Sequence, residues 1–279
     1  MLRKFMITPL GLQDILMGVV FRSFATDDGP PNRGFVVKVL DLNTQELEIY
    51  ERLLDHVGSP QNHTIPCEIV RSGHPMLIMP MLSCIDMVMC QWSLSLSGLV
   101  DIFYQLVEGV NYLHKHNIVH MDLCPGNVGG ALAPQSDYHA SLQLDRIYIY
   151  DFNTSRQFAR GPGYQHAITL PETQVSPPNG LTHFDPYSWD VYCLGHLMNE
   201  LMDIYAEDHP SPPWLLRRYA RWLIGHERGC QSACCCRPTV QNALRMMSVV
   251  RLSISVLQWY STLYKTIVLA FHRSFLFPS

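Results

Sequence analysis

The chain has 279 residues, 47% of them hydrophobic and 16% charged, which is enough to bury a sizeable core, most naturally as two lobes sharing a cleft. A formal charge of −4 argues against a nucleic-acid-binding protein, which would carry a basic stripe. Nine cysteines, an odd total, argue against a closed disulfide framework; Cys234, Cys235 and Cys236 are adjacent and cannot easily aim, with Cys230, at one tetrahedral metal centre, so reduced thiols in a cytoplasmic or nuclear protein are the expectation.

In chain order, Met1-Leu2-Arg3-Lys4 imitates the start of a signal peptide, but Pro9, Gln13 and Asp14 interrupt the apolar region that secretion requires. Phe35-Val36-Val37-Lys38-Val39-Leu40 reads as a buried strand interrupted by a lysine, and a buried ammonium needs an anionic partner. Glu46 is the candidate, because Tyr50 and Leu53 follow at plus four and plus seven on one side of a helix; Glu48 is the fallback. Met76 to Leu82 reads as another buried strand. Leu99, Ile102, Phe103, Leu106, Val110 and Leu113 recur at three- and four-residue intervals, the mark of a helix with one buried face. That helix delivers the polar loop His120-Met121-Asp122-Leu123-Cys124-Pro125-Gly126-Asn127.

The segment from Gly129 to Asp145 reads as a long connection, followed by a strand, Ile147-Tyr148-Ile149-Tyr150, that places Asp151 at its end. Proline and glycine at Gly29-Pro30-Pro31-Asn32, Gly161-Pro162-Gly163 and Ser211-Pro212-Pro213 mark loops. Val191, Leu194, Leu197 or Met198, and Leu201 fall on one face of a further helix. From Val249 onward the chain is apolar and aromatic, but Arg251, Lys265, His272 and Arg273 leave no uncharged run of the ~18 residues a membrane span needs. A terminal helix or two on the larger lobe, or a poorly ordered extension, is the expectation; an interfacial membrane anchor is the alternative, and no membrane partner is expected.

An aspartate that can accept a hydroxyl proton, an asparagine five residues on and an aspartate at a strand end are the parts needed to hold Mg²⁺-ATP beside an acceptor. In order and spacing, His120 to Asn127 and Asp151-Phe152-Asn153 resemble the H-x-D-x-x-x-x-N and D-F-x segments of a eukaryotic protein kinase catalytic domain. Trp189-Asp190-Val191-Tyr192-Cys193-Leu194-Gly195 is similar to the D-V-W-S-L-G segment, and Arg237-Pro238-Thr239 to a feature near the domain's end. The resemblance implies an α+β, two-lobed fold. A small antiparallel sheet lobe with a helix would occupy residues 1–82, a larger helical lobe 83–247, and residues 248–279 form an unassigned tail.

The same resemblance implies ATP-dependent transfer to serine or threonine of a protein substrate, with ATP and Mg²⁺ as cofactors. Asp122 would orient the acceptor hydroxyl, and Asn127 and Asp151 would coordinate the metal. Lys38, paired with Glu46, would contact the α- and β-phosphates. Met79 would close the back of the adenine pocket, with adenine bonded to backbone near Pro80 and Leu82; proline lacks the N–H but keeps its carbonyl. Asp190 would accept hydrogen bonds from the loop that carries Asp122.

The departures are specific. Gln13, Ile15 and Gly18 stand where G-x-G-x-x-G would cradle the phosphates, which implies weak ATP affinity. Cys124 stands where a lysine stabilises the transferring group, a loss that typically costs about 10²–10³ in rate. Met121 replaces an arginine that reads a phosphate on the activation segment, so activity is expected to be independent of phosphorylation at Thr154, Ser155, Thr169, Thr173 or Ser176. Asn153 replaces a glycine and is expected to tolerate left-handed backbone angles. Ser176-Pro177-Pro178 stands for A-P-E, leaving Arg237 to another anion, such as Glu172, or to solvent. These losses keep a second reading open, a pseudokinase acting as a nucleotide-binding or scaffold module. Transfer to a small molecule is disfavoured by the Asp190 segment.

Overall fold

A computed structural model describes residues 6–9, 20–24, 34–91, 94–178, 181–226 and 232–276. Gln13, Ile15, Gly18, the Gly29 to Asn32 loop and Cys230 lie outside them.

The N-terminal region is an antiparallel sheet of β1 (Met6–Pro9), β2 (Val20–Phe24), β3 (Phe35–Val39), β4 (Glu68–Val70) and β5 (Met76–Pro80), in the order β1-β2-β3-β5-β4. β3 lies inside the sheet between β2 and β5, but its apolar side chains are half-buried rather than buried as expected, and Lys38, opposite Val20 on β2 and Leu77 on β5, is its one buried residue. Between β3 and β4 runs helix α1 (Glu46–Leu54), whose one buried face carries Glu46, Ile49, Tyr50 and Leu53. Burying each of its three large apolar side chains stabilises by roughly 1.5–3 kcal/mol. That face therefore fixes the helix's rotation and points Glu46 inward.

Past β5 the chain becomes mainly helical, through α2 (Ile85–Gln91) and α3 (Leu96–Lys115). Ser95 caps α3 by accepting the Gly98 N–H, and all six residues that carried its sequence period are buried. Short strands then frame the polar loop: β7 (Ile118–Val119) precedes it, and β8 (Val128–Gly130) follows it, paired with β6 (Ser83–Cys84) on one side and β9 (Ile147–Ile149) on the other. β9 ends two residues before Asp151. This ladder brings the two acidic segments side by side.

The stretch read as one long connection from Gly129 to Asp145 holds instead β8 and a short helix, α4 (Ala133–Tyr138). Its polar composition misled because Gln135 is 4% exposed and fully used. The Gln135 amide accepts from Leu132 N–H (2.9 Å) and Ser83 Oγ (3.2 Å) and donates to the Met81 carbonyl (3.1 Å), tying α4 to the end of β5.

The remaining elements are β10 (Arg156–Gln157), β11 (Ile168–Thr169), β12 (His183–Phe184), α5 (Pro186–Asp208), α6 (Trp214–Ile224) and α7 (Val240–Leu276). α5 begins with Asp185 accepting the N–H groups of Tyr187 (3.0 Å) and Ser188 (3.4 Å), and its expected apolar face is buried. α7 is one continuous helix that packs on α3, with no break at Met247.

Candidate active site

Lys38 is 3% exposed and its Nζ lies 2.7 Å from Glu46 Oε1 and 2.7 Å from Asp151 Oδ1. Three residues distant in sequence meet because β3, α1 and the end of β9 each present a side chain to one space. Glu46 Oε1 also accepts the Phe152 N–H at 3.1 Å, so one carboxylate oxygen links the lysine strand to the segment after Asp151. Glu48, the fallback, is on the exposed face of α1.

Burial and charge compete here. Burial works against the Lys38 ammonium, yet the Asp151 and Glu46 carboxylates outweigh it and raise its pKa above the ordinary lysine value. For Glu46 burial wins and lifts the carboxyl above the glutamate range, with Lys38 opposing. Asp151 also suffers burial, but Lys38 holds it below the usual aspartate value, and its side chain is 44% exposed to the cleft. Lysine is thus charged and Asp151 ionised at neutral pH.

The Asp122 loop is shaped from beneath. Asp190, fully buried, accepts the N–H of His120 (2.9 Å) on Oδ2 and of Met121 (2.9 Å) on Oδ1, and its Oδ2 also meets His114 Nε2 at 2.9 Å. Trp189 Nε1 donates to the Met121 carbonyl at 2.7 Å. These bonds hold Met121 at φ 72°, a left-handed angle that an unbranched residue adopts only under such constraint. The left-handed angle expected at Asn153 falls instead on Asp151, at φ 63°, which turns its carboxylate back toward Lys38.

Asn127 Nδ2 donates to the Asp122 carbonyl (2.8 Å) and to its Oδ2 (3.2 Å). Its amide nitrogen is thereby committed, so the amide oxygen is the atom of this side chain that could face a cation. A hard amide oxygen and an ionised carboxylate, Asn127 and Asp151, on one cleft suit a small hard cation that retains waters.

Sequence reasoning missed Gln174. Its backbone N–H donates to Asp122 Oδ1 at 2.8 Å and its Nε2 to Oδ2 at 3.2 Å, so the segment after β11 is clamped onto Asp122. A lone glutamine in a loop carries no sequence signal; only the fold brings it there. Cys124 is buried, and burial followed by the charge of Asp122 pushes its thiol up to about 12, so it is neutral.

Lys38, Asn127 and Asp151 line a cleft of about 410 Å³ between the sheet and the helical region, with Val20, Val36, Met79, Pro80, Met81, Leu82, Tyr150 and Gln174. Such a volume suits a cofactor-sized ligand. Beneath Tyr150, a Cβ at Gly129 would lie 2.6 Å from the Ser83 carbonyl, so a side chain there would force β6 and β8 apart. The same Cβ would meet a Tyr150 ring carbon and the Leu82 Cβ, each at 3.4 Å. At the back, Tyr50 Oη approaches Met79 Sδ at 3.9 Å, and Phe152 is fully buried with its ring 5.0 Å from Tyr50 and 5.1 Å from His120.

Arg237 is held by partners the sequence does not suggest. Its Nε donates to the Ile224 carbonyl at 2.7 Å, and the guanidinium lies 4.9 Å and 5.0 Å from the rings of Phe184 and Tyr192. Glu172 is exposed, and Ser176 instead offers its carbonyl to Tyr192 Oη at 3.3 Å.

A buried lysine between two carboxylates, an Asp-x-x-x-x-Asn loop braced by a buried aspartate, and an antiparallel sheet over a helical region define a phosphotransferase-like fold. Residues 48–206 match the protein kinase domain model, and the chain belongs to that family. Lys38 and Glu46 lie just ahead of the matched range and the rest of the site within it. Among curated proteins the chain is similar to mitogen-activated protein kinase kinase 8 of Arabidopsis thaliana, 30% identical over 101 residues, covering 35% of this chain and 31% of the relative. It is 30% identical to serine/threonine-protein kinase dst4 of Dictyostelium discoideum over 115 residues, 39% of this chain and 21% of that one. Serine/threonine-protein kinase 17A of Oryctolagus cuniculus is 29% identical over 116 residues, 40% of this chain and 26% of the relative. The matched stretches thus span a third or less of each relative.

Proposed function

We propose that the protein is an ATP-dependent kinase that transfers the γ-phosphoryl group to serine or threonine hydroxyls of a protein substrate. The observation that carries this is Lys38 Nζ, 2.7 Å from both Glu46 and Asp151, on the same cleft as Asn127, whose amide nitrogen donates to the Asp122 carboxylate at 3.2 Å. A small lobe of residues 1–82 covers the nucleotide, and residues 83–247 form the lobe that holds the acceptor.

Lys38 supplies positive charge to the α- and β-phosphates, and Glu46 keeps its ammonium aimed into the cleft. Met79 closes the back of the adenine pocket, where the Pro80 carbonyl and backbone at Leu82 offer hydrogen bonds. Asn127 and Asp151 would hold Mg²⁺, which would supply positive charge to the phosphates. Asp122 orients the acceptor hydroxyl and takes its proton as the oxygen bonds to the γ-phosphorus, the bond to the β-phosphate oxygen breaks and ADP leaves. Phosphoryl transfer asks the protein for alignment and electrostatics rather than covalent chemistry, and those are what fixed polar groups provide. The serine/threonine assignment draws on the printed names of the relatives.

Transfer of label from [γ-³²P]ATP to a protein acceptor is measured for the wild-type chain beside Asp122→Asn. Transfer lost in the variant, with Mg²⁺-nucleotide binding retained, is the expected result; equal incorporation by the two overturns the reading. A second reading, a pseudokinase that binds nucleotide as a scaffold, is favoured by two observations: the neutral Cys124 thiol and the Gln174 clamp on Asp122.

A further inference from the structure

A second cavity, of about 130 Å³, shares no lining residue with the cleft. It forms where the turn between α1 and β4 meets the segment that leads into β9. Backbone bonds hold the two together: the Ile149 N–H donates to the His63 carbonyl at 2.7 Å, and the Ile65 N–H to the Ile149 carbonyl at 3.1 Å. The cavity is smaller than a cofactor pocket and fits a group of a few heavy atoms. Among the described residues no aspartate or glutamate lines it. One cation, Arg146, does, beside the hydroxyl-bearing Ser59, Thr64, Ser141 and Tyr148.

These side chains have donors to give. Arg146 Nη2 donates to the carbonyls of Pro60 (2.9 Å) and Asn62 (2.8 Å), and Nη1 to Gln143 Oε1 at 3.5 Å, which holds the guanidinium against the turn yet leaves part of its five-donor fork. Among the described residues no carboxylate lies within ion-pair distance of it. Glu108, which feels its charge, is engaged with His63 Nε2 at 3.3 Å and Tyr104 Oη at 3.2 Å. Tyr148 Oη accepts the Gln143 N–H at 2.8 Å and keeps its own proton to donate. Thr64 is 3% exposed, and its Oγ1 has no hydrogen-bond partner among the described residues, although its backbone N–H donates to Asn62 Oδ1 at 3.0 Å. A buried hydroxyl without a partner costs free energy, and this one belongs to a residue of the cavity wall. An arginine fork and several hydroxyls, with no acid to compete, suit an oxyanion whose three or more oxygens can each accept a bond.

We propose that this cavity binds a phosphate group, carried either by the free ion or by a phosphate monoester, with Arg146 supplying the charge and Thr64 donating its hydroxyl to one oxygen. An occupant bonds at once to the turn after α1 and to the segment before β9, bracing the sheet region against the helical one. This binding does not depend on phosphoryl transfer in the cleft.

The test is hydrogen exchange of the full chain, read by mass spectrometry, against inorganic phosphate and against O-phosphoserine, with ionic strength matched by sodium chloride. The expected result is protection of residues 57–66 and 141–148 by at least one of the two. Tighter binding of inorganic phosphate assigns the site to the free ion, and tighter binding of O-phosphoserine to the ester. Arg146→Gln should raise the midpoint concentration for that protection roughly tenfold or more, and Thr64→Val roughly threefold or more. Thr64→Val removes a hydroxyl that has no protein partner, so its urea midpoint should hold or rise while phosphate binding weakens. That variant decides the matter should Arg146→Gln misfold. No protection by either probe, equal protection by sodium chloride alone, protection confined to the segments of Lys38, Glu46 and Asp151, or a midpoint unmoved in Thr64→Val overturns the proposal.

Discussion

The backbone N–H of Gln174 donates to Oδ1 of Asp122 at 2.8 Å while its side-chain amide donates to Oδ2 at 3.2 Å. With Asn127 on Oδ2 as well, three of the roughly four acceptor positions of this carboxylate are used before any hydroxyl arrives. Gln174→Ala removes one donor and leaves the backbone bond. It should raise single-turnover phosphoryl transfer about three- to tenfold, about the net value of one hydrogen bond. A fall in rate would mean that the amide assists the aspartate rather than competing for it.

Lys38 sits between two acids with 4% of its side chain exposed, and Glu46 is fully buried. Removing one partner of such a pair leaves a buried charge uncompensated, so Lys38→Met should cost about 3–5 kcal/mol in urea denaturation. Adding Glu46→Leu removes the orphaned carboxylate and should return part of that loss. Strict additivity of the two substitutions would show that the pair is not coupled.

Asp190 satisfies two backbone donors of the loop and His114 with one carboxylate. Asp190→Ala should destabilise by about 3 kcal/mol or more, because buried donors without a partner lose their full hydration. Hydrogen exchange at His120 and Met121 should accelerate. Asp190→Asn keeps an acceptor oxygen and should lose less. Unchanged exchange in the alanine variant would show that the loop holds its shape without it.

Cys124→Lys restores a cation beside Asp122, and transfer should rise by about 10- to 100-fold, short of the full effect of a transition-state donor because the site is built for a thiol. In the unmodified protein, Cys124 should alkylate after the exposed Cys84, Cys90 and Cys235, since burial keeps it a thiol. Mass spectrometry after limiting iodoacetamide reads this order directly.

Burial lowers the pKa of His139, against a backbone hydrogen bond to Gly34, and that of His196, where Arg237 adds to the effect. The unfolded chain then binds protons first as pH falls below about 6.5, so stability declines through the lower folded values. The midpoint of urea unfolding should drop between neutral pH and pH about 5, and His139→Phe with His196→Phe should flatten that slope. The Phe35 ring lies edge-on to His139 at 4.8 Å, so phenylalanine there keeps an aromatic contact.

The sequence by itself determined the elements whose patterns are local and repetitive. The period of α3, the apolar run of β3 and the face of α5 are each dictated by which side of one element must leave water. It also carried the site residues whose spacing is short, Asp122 with Asn127 and Asp151 behind its strand. The pairing of Lys38 with Glu46 was legible because a charge in an apolar strand demands a partner. Only the tertiary structure decided the rest. Gln174 reaches Asp122, Gln135 locks α4 to the end of β5, Arg237 lies over two aromatic rings, and the strained backbone angle sits at Asp151 rather than Asn153. The tail, which composition left between a packed helix and an extension, became a helix with a second apolar face. Each of these is a contact between segments far apart along the chain, set by how packed elements exclude one another in three dimensions, and no local periodicity encodes such a meeting.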